Sequence, residues 1–297
     1  MTRRFNFWRT RQNAAPYLFI APFFILFSIF MLYPFVFSLI ISFAKWNGIG
    51  KMEWVGLLNY TRLLKDKIFI QTLVNGVVEF FMSVPLMLLL ALILAFILHQ
   101  QWVKHKGFFR TAIFIPNVTS VVAVSYVFLL AFDTQYGLVN MLLGLVGIPQ
   151  IQWFGSAFAA RSVVVLLVIW RWLGYNMILM MSGLSSIPRD LYEAACIDGA
   201  SSAKTFVRIT LPLMKPIILF CSVMSTMGTF SLFTEPLVLT NGTGGPLNST
   251  MSTVLYIYTQ SFGYLKMGYA SSIAFVYFII MFLFTMLQMK ATKASDK

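Results

Sequence analysis

Long runs without a charged residue are the feature that most constrains what this chain can fold into. Residues 12–44, 80–103 and 111–132 contain no Asp, Glu, Lys or Arg. A helix needs about 20 mostly apolar residues to cross the hydrocarbon core of a bilayer, and each run is long enough. A soluble domain of 297 residues, 59% of them hydrophobic, could not keep this much apolar surface from water. We therefore expect a protein that crosses a lipid bilayer several times.

The apolar pattern predicts an all-α, polytopic membrane protein with six transmembrane helices. The predicted spans are residues 17–43, 72–98, 112–131, 162–183, 216–239 and 269–289. After the first span, residues 56–67 are predicted to form a short amphipathic helix on the outer membrane surface.

The basic residues predict the orientation of the chain. The net charge is +13, and Lys and Arg cluster at the ends of the apolar runs, as orientation signals do. With both termini in the cytoplasm, 14 of the 22 basic residues lie inside, six lie outside, and Arg161 and Arg171 lie at the start of the fourth span and within it. Because this distribution accounts for the positive charge, we expect no nucleic-acid partner.

Three charged residues inside the predicted spans are candidates for a functional role, because a charge in the hydrocarbon core is costly. Glu79 and Glu235 lie near the outer ends of their spans, where a side chain could also extend to the interface. Arg171 lies deeper, and two roles are open for it: a structural ion pair and a contact with a solute. His99 and His105 have no neighbours that suggest a metal site, and we expect no catalytic residues.

The connection between the fourth and fifth spans, residues 185–216, is predicted to form two short helices. Pro188 follows a serine and is expected in the first turn of one helix, which Gly199 is expected to end. A serine cap begins the second helix, which is expected to end at Thr210 before Pro212. These residues alone leave open an ordinary amphipathic loop and a protrusion that enters a groove on another protein.

The same connection carries a motif that resembles the coupling motif of ABC importer permeases. It reads Glu193-Ala194-Ala195, then Asp198-Gly199-Ala200, then Phe206, Ile209, Leu211-Pro212 and Pro216. Further strings resemble the carbohydrate-uptake branch of that family, represented by the maltose and glycerol-3-phosphate permeases. They are Phe109-Arg110-Thr111, Ile115-Pro116, Tyr136-Gly137-Leu138-Val139-Asn140, Gly244-Gly245-Pro246 and Met267-Gly268-Tyr269-Ala270. The resemblance covers nearly the whole chain.

The resemblance implies a type I ABC importer permease fold in the bacterial cytoplasmic membrane. Residues 71–290 would form the permease domain, with the coupling loop at 185–216. Residues 1–70 would hold a cytoplasmic tail, the first span and an outer loop, and residues 291–297 a second cytoplasmic tail. The implied partners are a second homologous permease subunit, two cytoplasmic ATPase subunits that bind ATP and magnesium, and an extracytoplasmic solute-binding protein.

The resemblance also implies which residues act. Those expected to receive the movement of the ATPase are Glu193, Ala194, Ala195, Asp198, Gly199, Ala200, Leu211 and Pro212. Positions similar to the sugar-contacting ones of the maltose permease are Trp170, Leu173, Gly174, Met177, Ser225, Gly228, Thr229 and Leu232. Glu193 is expected to meet a polar or basic group of the ATPase, and its alternative role is a helix-terminal charge.

The favoured function is therefore a permease subunit, not an enzyme, that forms half of the path of an imported carbohydrate. The chain contains no G-x-x-x-x-G-K-[ST] phosphate loop, so we expect it to bind no cofactor of its own. An oligosaccharide is the first candidate substrate, and glycerol-3-phosphate or another polyol is the second. An ion-coupled secondary transporter is the alternative, which the motif and the scarcity of carboxylates near the bilayer centre disfavour.

Overall fold

The computed structural model describes residues 7–100 and 102–294, and it divides into two compact units. One unit consists of the chain up to residue 65 together with residues 260–275, and the other consists of residues 66–259 and 276 onwards. The predicted cytoplasmic tails lie partly outside the described residues, at 1–6 and 295–297. The predicted orientation of the termini and the predicted domain limits remain predictions.

The first unit is built on a long apolar helix followed by a small hairpin. Its elements are α1 (Phe7–Phe27), a π-helical turn (Ser28–Leu32), α2 (Tyr33–Ile41), β1 (Ala44–Lys45), β2 (Glu53–Trp54) and α3 (Leu58–Leu63). The strands pair antiparallel with Ala44 opposite Trp54. The surface helix predicted at 56–67 is shorter than expected, because Gly56 has a left-handed φ of 56° and Asp66 already caps the next helix.

Two contacts hold the first unit together: the hydrogen bonds of one buried side chain and one close approach between backbones. The Asn59 side-chain amide donates to the carbonyls of Ser42 at 2.8 Å and Ala44 at 3.0 Å, at the end of the apolar helix. Gly268 packs against the same turn, where a β-carbon would collide with the Ala44 carbonyl oxygen. The glycine of the Met267-Gly268-Tyr269-Ala270 string therefore permits a close backbone approach.

The second unit contains the remaining helices. They are α4 (Lys67–His99), α5 (Lys106–Val118), α6 (Val121–Ala131), α7 (Leu138–Leu145), α8 (Ala157–Ser185), α9 (Arg189–Ile197), α10 (Ser202–Thr205), α11 (Leu211–Phe230), α12 (Thr234–Leu239) and α13 (Thr253–Tyr258). A π-helical turn (Phe206–Thr210) joins α10 to α11, and α14 (Met267–Ala294) begins in the first unit and ends in the second.

The core of the second unit lies where α4, α8 and α11 meet. Ala91 and Ala95 on α4 are fully buried and make room for the long side chains of Met177 and Met180 on α8. Met214 on α11 completes the cluster. Small residues facing flexible methionines let helices approach closely, which provides the packing that holds helices together in lipid.

The membrane spans agree with the prediction in number and differ from it in shape. Among the described residues, five helices are long and apolar enough to cross a membrane, and a bent pair brings the number to six. The pair is α5 and α6, which meet at 95° within the segment predicted as one span at 112–131. The Ser120 side chain accepts from the Ala123 N–H at 3.5 Å and so begins a new helix inside the apolar run.

The predicted fifth span is also interrupted. Helix α11 ends at Phe230, residues 231–233 are not helical, and α12 then continues to Leu239. The predicted helix end near Thr210 is wrong, because Leu211 is helical with φ −63° and ψ −43°. Pro212 lies at the start of α11, directly after the π-helical turn, and wide turns of this kind accommodate a residue that lacks an N–H donor.

Candidate coupling loop and solute pathway

The corner after α9 is a closed helix end. Gly199 has a φ of 68°, its N–H donates to the Cys196 carbonyl at 3.1 Å, and the Ala200 N–H donates to the Ala195 carbonyl at 2.9 Å. These two bonds form a Schellman motif, so Gly199 ends the helix as predicted. The start of the helix differs from the prediction, because Pro188 is the N-cap residue and no side chain caps the first turn.

The motif residues of α9 separate into one buried side chain and an exposed edge. Ala195 is buried, whereas Glu193, Ala194 and Asp198 are exposed. Ile197 is 87% exposed, an unusual position for a large aliphatic side chain at a helix end. This edge is therefore available to another protein.

The corner is fixed to the membrane-spanning helices. The Tyr192 hydroxyl hydrogen-bonds to the Thr210 hydroxyl at 3.0 Å, where the π-helical turn meets α11. Tyr192 and the buried Ile187 also pack on the apolar cluster that contains Met214 and Leu184. A force on the exposed edge of α9 would consequently reach α8 and α11 through packed side chains and a hydrogen bond.

The deep Arg171 forms an ion pair with Glu235. The Arg171 Nη1 atom lies 3.0 Å from Glu235 Oε1, and the side chains are 20% and 5% exposed. The guanidinium carbon also lies 5.5 Å from the centre of the Trp172 ring, within range of a cation–π interaction. The structure thus places Arg171 in an ion pair with a buried Glu235, and a contact of either residue with solute remains a prediction.

A second polar cluster lies at the opposite end of α4 and α8 from the α9 corner. Arg161 donates to the side-chain oxygen of Asn75 at 2.9 Å and, through two nitrogens, to the Ser249 carbonyl at 3.0 and 3.2 Å. The Asn75 amide donates to the carbonyls of Asn248 at 2.6 Å and Met251 at 3.0 Å. These contacts form what we call the loop clamp, which fixes residues 240–252.

The sequence does not predict the clamp, because the residues that form it lie far apart in the chain. Arg161 and Asn75 are polar residues at the edges of apolar segments, and neither has a predicted role. Glu79 lies one turn beyond Asn75 on α4 and is 2% exposed, so its side chain is enclosed by the protein. Buried donors such as those of Arg161 and Asn75 require acceptors, and the glycine-rich loop provides its backbone carbonyls.

The eight residues matched to the sugar positions of the maltose permease occupy different environments. Trp170 is 42% exposed, and Leu173 and Gly228 are half-buried. Gly228 leaves space beside Trp172, because an added β-carbon would meet that ring only at 4.0 Å. These residues are accessible from outside the subunit, and their contact with solute remains a prediction.

The other five matched residues are buried within this chain. Met177 and Leu232 belong to apolar clusters, and Gly174 packs so closely on α5 that a β-carbon would collide with the Ile113 carbonyl oxygen. Ser225 donates to the Asn176 side chain at 3.2 Å. Within the described part of the chain, the buried Thr229 hydroxyl has no hydrogen-bond partner. Their predicted contact with solute requires a conformation other than this one.

The break between α5 and α6 adds polar groups that sequence reasoning did not identify. Ser120 is exposed, and Asn117 and Thr119 are half-buried, in the middle of an apolar segment. Irregular backbone at membrane depth is tolerated only where protein covers it or where it lines a water-filled cavity. The break therefore belongs on a protein-facing or water-facing side of the subunit.

The Tyr136–Asn140 string shapes the loop after α6. Gly137 has no room for a β-carbon beside Asp133, and the buried Asn140 donates to the Thr134 and Ile151 carbonyls at 3.0 and 2.9 Å. The backbone N–H groups of Tyr136 and Gln135 donate to Asp133 and hold the pKa of that carboxyl below its usual range. The glycine and asparagine of this string therefore have structural roles in the loop.

Among the described residues, no group of three or more His, Cys, Asp or Glu side chains could hold a metal ion. The fold and the site together define a helical membrane-embedded subunit with an exposed corner at one end and paired charges inside. A family model described as "Binding-protein-dependent transport system inner membrane component" matches residues 54–291. The chain belongs to this family of transport subunits, and it is an inner-membrane permease component and not an enzyme.

Individual relatives support the same assignment. The lactose transport system permease protein LacF of Rhizobium radiobacter is 40% identical over 93% of both chains. The arabinooligosaccharides transport system permease protein AraP of Bacillus subtilis (strain 168) is 35% identical over 94% of this chain and 88% of the relative. A chain of the bacterial alginate ABC transporter, solved with an alginate pentasaccharide-bound periplasmic protein, superposes with a TM-score of 0.79 at 20% identity, covering 95% of each chain. That likeness shows the ABC importer permease fold.

Proposed function

We propose that this chain forms half of the translocation pathway of an ATP-driven importer for an oligosaccharide that an extracytoplasmic binding protein delivers. The names of the relatives support a saccharide, because LacF and AraP are described as permeases for lactose and for arabinooligosaccharides. A second permease subunit would form the other half. Two partner ATPases would bind ATP and magnesium.

The exposed corner of α9 is the observation that carries the ATP-driven mechanism. A helix that moves as a rigid body must have few internal degrees of freedom, and the Schellman bonds of Gly199 and the Tyr192–Thr210 hydrogen bond provide this. Glu193 and Ile197 form the exposed edge that would enter a groove on the ATPase. Closure of the ATPase dimer would then move the helices between inward-open and outward-open states.

The interior charges favour a neutral solute over a phosphorylated one. Arg171 is the deep cation, and its charge is matched by Glu235 at 3.0 Å. A phosphate ester would have to displace that carboxylate from a buried ion pair, which is costly. Trp170 offers an aromatic face suited to a sugar ring, and the Asn117 and Thr119 side chains at the helix break can hydrogen-bond to hydroxyls.

Uptake by the complete transporter in sealed vesicles tests this function. We expect accumulation of a labelled neutral oligosaccharide only when ATP is on the side of the ATPases and the binding protein is on the opposite side of the membrane. A non-hydrolysable ATP analogue should abolish it. Accumulation driven by a sodium or proton gradient without ATP would contradict the proposal and would favour a secondary transporter.

A further inference from the structure

An apolar groove lies beside the last turns of α4, on the surface of the second unit. Its volume is about 380 Å³, which is within the range of pockets that hold small ligands. The lining residues are Leu89, Leu92, Ile93, Phe96, Ile97, Ser202, Ala203 and Phe206. The Phe96 and Phe206 rings meet edge to face with their centres 5.2 Å apart. Apart from the Ser202 hydroxyl, the lining side chains are hydrocarbon.

The groove lies where α4 leaves the apolar part of the membrane. Helix α4 ends at His99, and Trp102 is 72% exposed just beyond it. Tryptophan favours the boundary between lipid tails and headgroups. One end of the groove therefore lies at headgroup level and the rest lies at the depth of the acyl chains.

The segments that border this end carry more basic than acidic residues, although Glu193 and Asp198 lie on the preceding α9 corner. Residues 99–132 and 199–234 contain no Asp or Glu. The basic residues in these two segments are Lys104, Lys106, Arg110, Lys204, Arg208 and Lys215. Lys204 is exposed and lies between Ala203 and Phe206, both of which line the groove. The polar end of the groove is thus electrostatically suited to an anion attached to a hydrocarbon chain.

We propose that this groove binds one anionic phospholipid, with an acyl chain along α4 and the headgroup beside Lys204. Hydrocarbon walls exclude a free anion, which would lose its hydration without gaining partners. An uncharged lipid would fill the same walls but would leave Lys204 without a counter-charge. The site adjoins α10, the short helix that follows the α9 corner, so an occupied groove would support the base of that corner.

Lipid retention by the complete transporter tests the proposal. The transporter is incorporated into bilayers of equal parts phosphatidylglycerol and phosphatidylcholine, re-extracted, and its retained lipids are measured by native mass spectrometry. We expect phosphatidylglycerol to be enriched over its bulk share. A single basic residue near the membrane surface changes the affinity for an anionic lipid about fivefold, so Lys204→Gln should lower the enrichment by about that factor.

Two variants of exposed α4 residues distinguish lipid bound in the groove from lipid on the rest of the membrane-facing surface. Ile93→Trp fills the groove and should abolish the enrichment, whereas Leu86→Trp, on the same face of α4 but outside the groove, should leave it unchanged. Equal retention of the two lipids, or unchanged enrichment in Ile93→Trp, would overturn the proposal. A photoreactive residue at position 93 that cross-links to a protein chain instead of lipid would also overturn it. Binding-protein-dependent uptake, measured in parallel, reports on the proposed transport function separately.

Discussion

The two ends of the second unit use polar residues in opposite ways. At the α9 corner, Glu193 and Asp198 are exposed, and the hydrogen bonds that shape the corner come from the backbone and from Tyr192. At the loop clamp, Asn75 and Arg161 direct their polar groups inward to loop carbonyls. One end leaves its charges available to a partner, and the other uses its polar groups to fix its own backbone.

This difference separates effects on transport from effects on stability. An exposed charge contributes little to the free energy of unfolding, so changing it affects mainly what the corner can bind. A buried polar group that loses its partner costs about 1–3 kcal/mol, and a buried charge costs more. Variants at the two ends should consequently fail in different assays.

The largest effect on transport is expected from Glu193→Lys. Like charges placed against each other at an interface cost several kcal/mol, so uptake should fall about 100-fold or more while the amount of protein in the membrane stays normal. Vesicle uptake and quantitative immunoblotting of the membrane fraction measure the two quantities. Glu53→Lys reverses a 70%-exposed carboxylate in the other unit, where its surface ion pair with Lys45 contributes little to stability, and it serves as the control, with near-normal uptake. Wild-type uptake by Glu193→Lys would remove the α9 corner from the coupling mechanism.

The largest effect on stability is expected from Glu235→Ala. The change leaves the largely buried Arg171 guanidinium without its carboxylate, and breaking a buried pair costs up to about 3–5 kcal/mol. Thermal unfolding of the purified transporter should show a clear decrease in midpoint temperature. The double variant Arg171→Met with Glu235→Leu removes both charges and should recover most of the loss. If the double variant is no more stable than the single one, the pair is not the reason for the loss.

A smaller stability effect is expected from Arg161→Ala in the loop clamp. The Ser249 carbonyl and one lone pair of Asn75 lose their donor, at a cost of about 1–3 kcal/mol. Because the loop is then held by fewer bonds, residues 240–252 should become more sensitive to protease. Arg161→Lys keeps the charge but lacks the planar guanidinium, so its stability and its protease sensitivity should lie between those of the wild type and Arg161→Ala. A loop as resistant in Arg161→Ala as in the wild type would show that the clamp does not fix it.

The comparison also shows what could be read from the sequence. The spans follow from uncharged runs, and the Gly199 corner follows from local helix-ending chemistry, because both depend on residues close together in the chain. The loop clamp joins Asn75 and Arg161 to Ser249, which are far apart in the chain, so no local pattern indicates it. The sequence does not predict the 95° bend between α5 and α6 for another reason. The bend contains few polar residues, and the surrounding run is apolar enough to be read as one span.

The structure also gives packing roles to residues that the resemblance identifies as part of the solute path. Gly174 was expected along the solute path, and the structure adds a packing role, because α5 lies where its side chain would be. Met177 likewise lies in the core cluster. A resemblance can indicate where along a helix a residue lies. Whether that residue is accessible to solute depends on the conformation and on the neighbouring helices.

Site-specific photo-cross-linking tests most directly the claim that the α9 corner receives the ATPase. Ile197 and Leu247 provide a matched pair, since both are aliphatic and 87% exposed, one at the α9 corner and one on the loop held by the clamp. A photoreactive amino acid at position 197 should cross-link to the partner ATPase in the assembled transporter, and one at position 247 should not. Cross-linking of the ATPase at position 247, or none at position 197, would contradict the account.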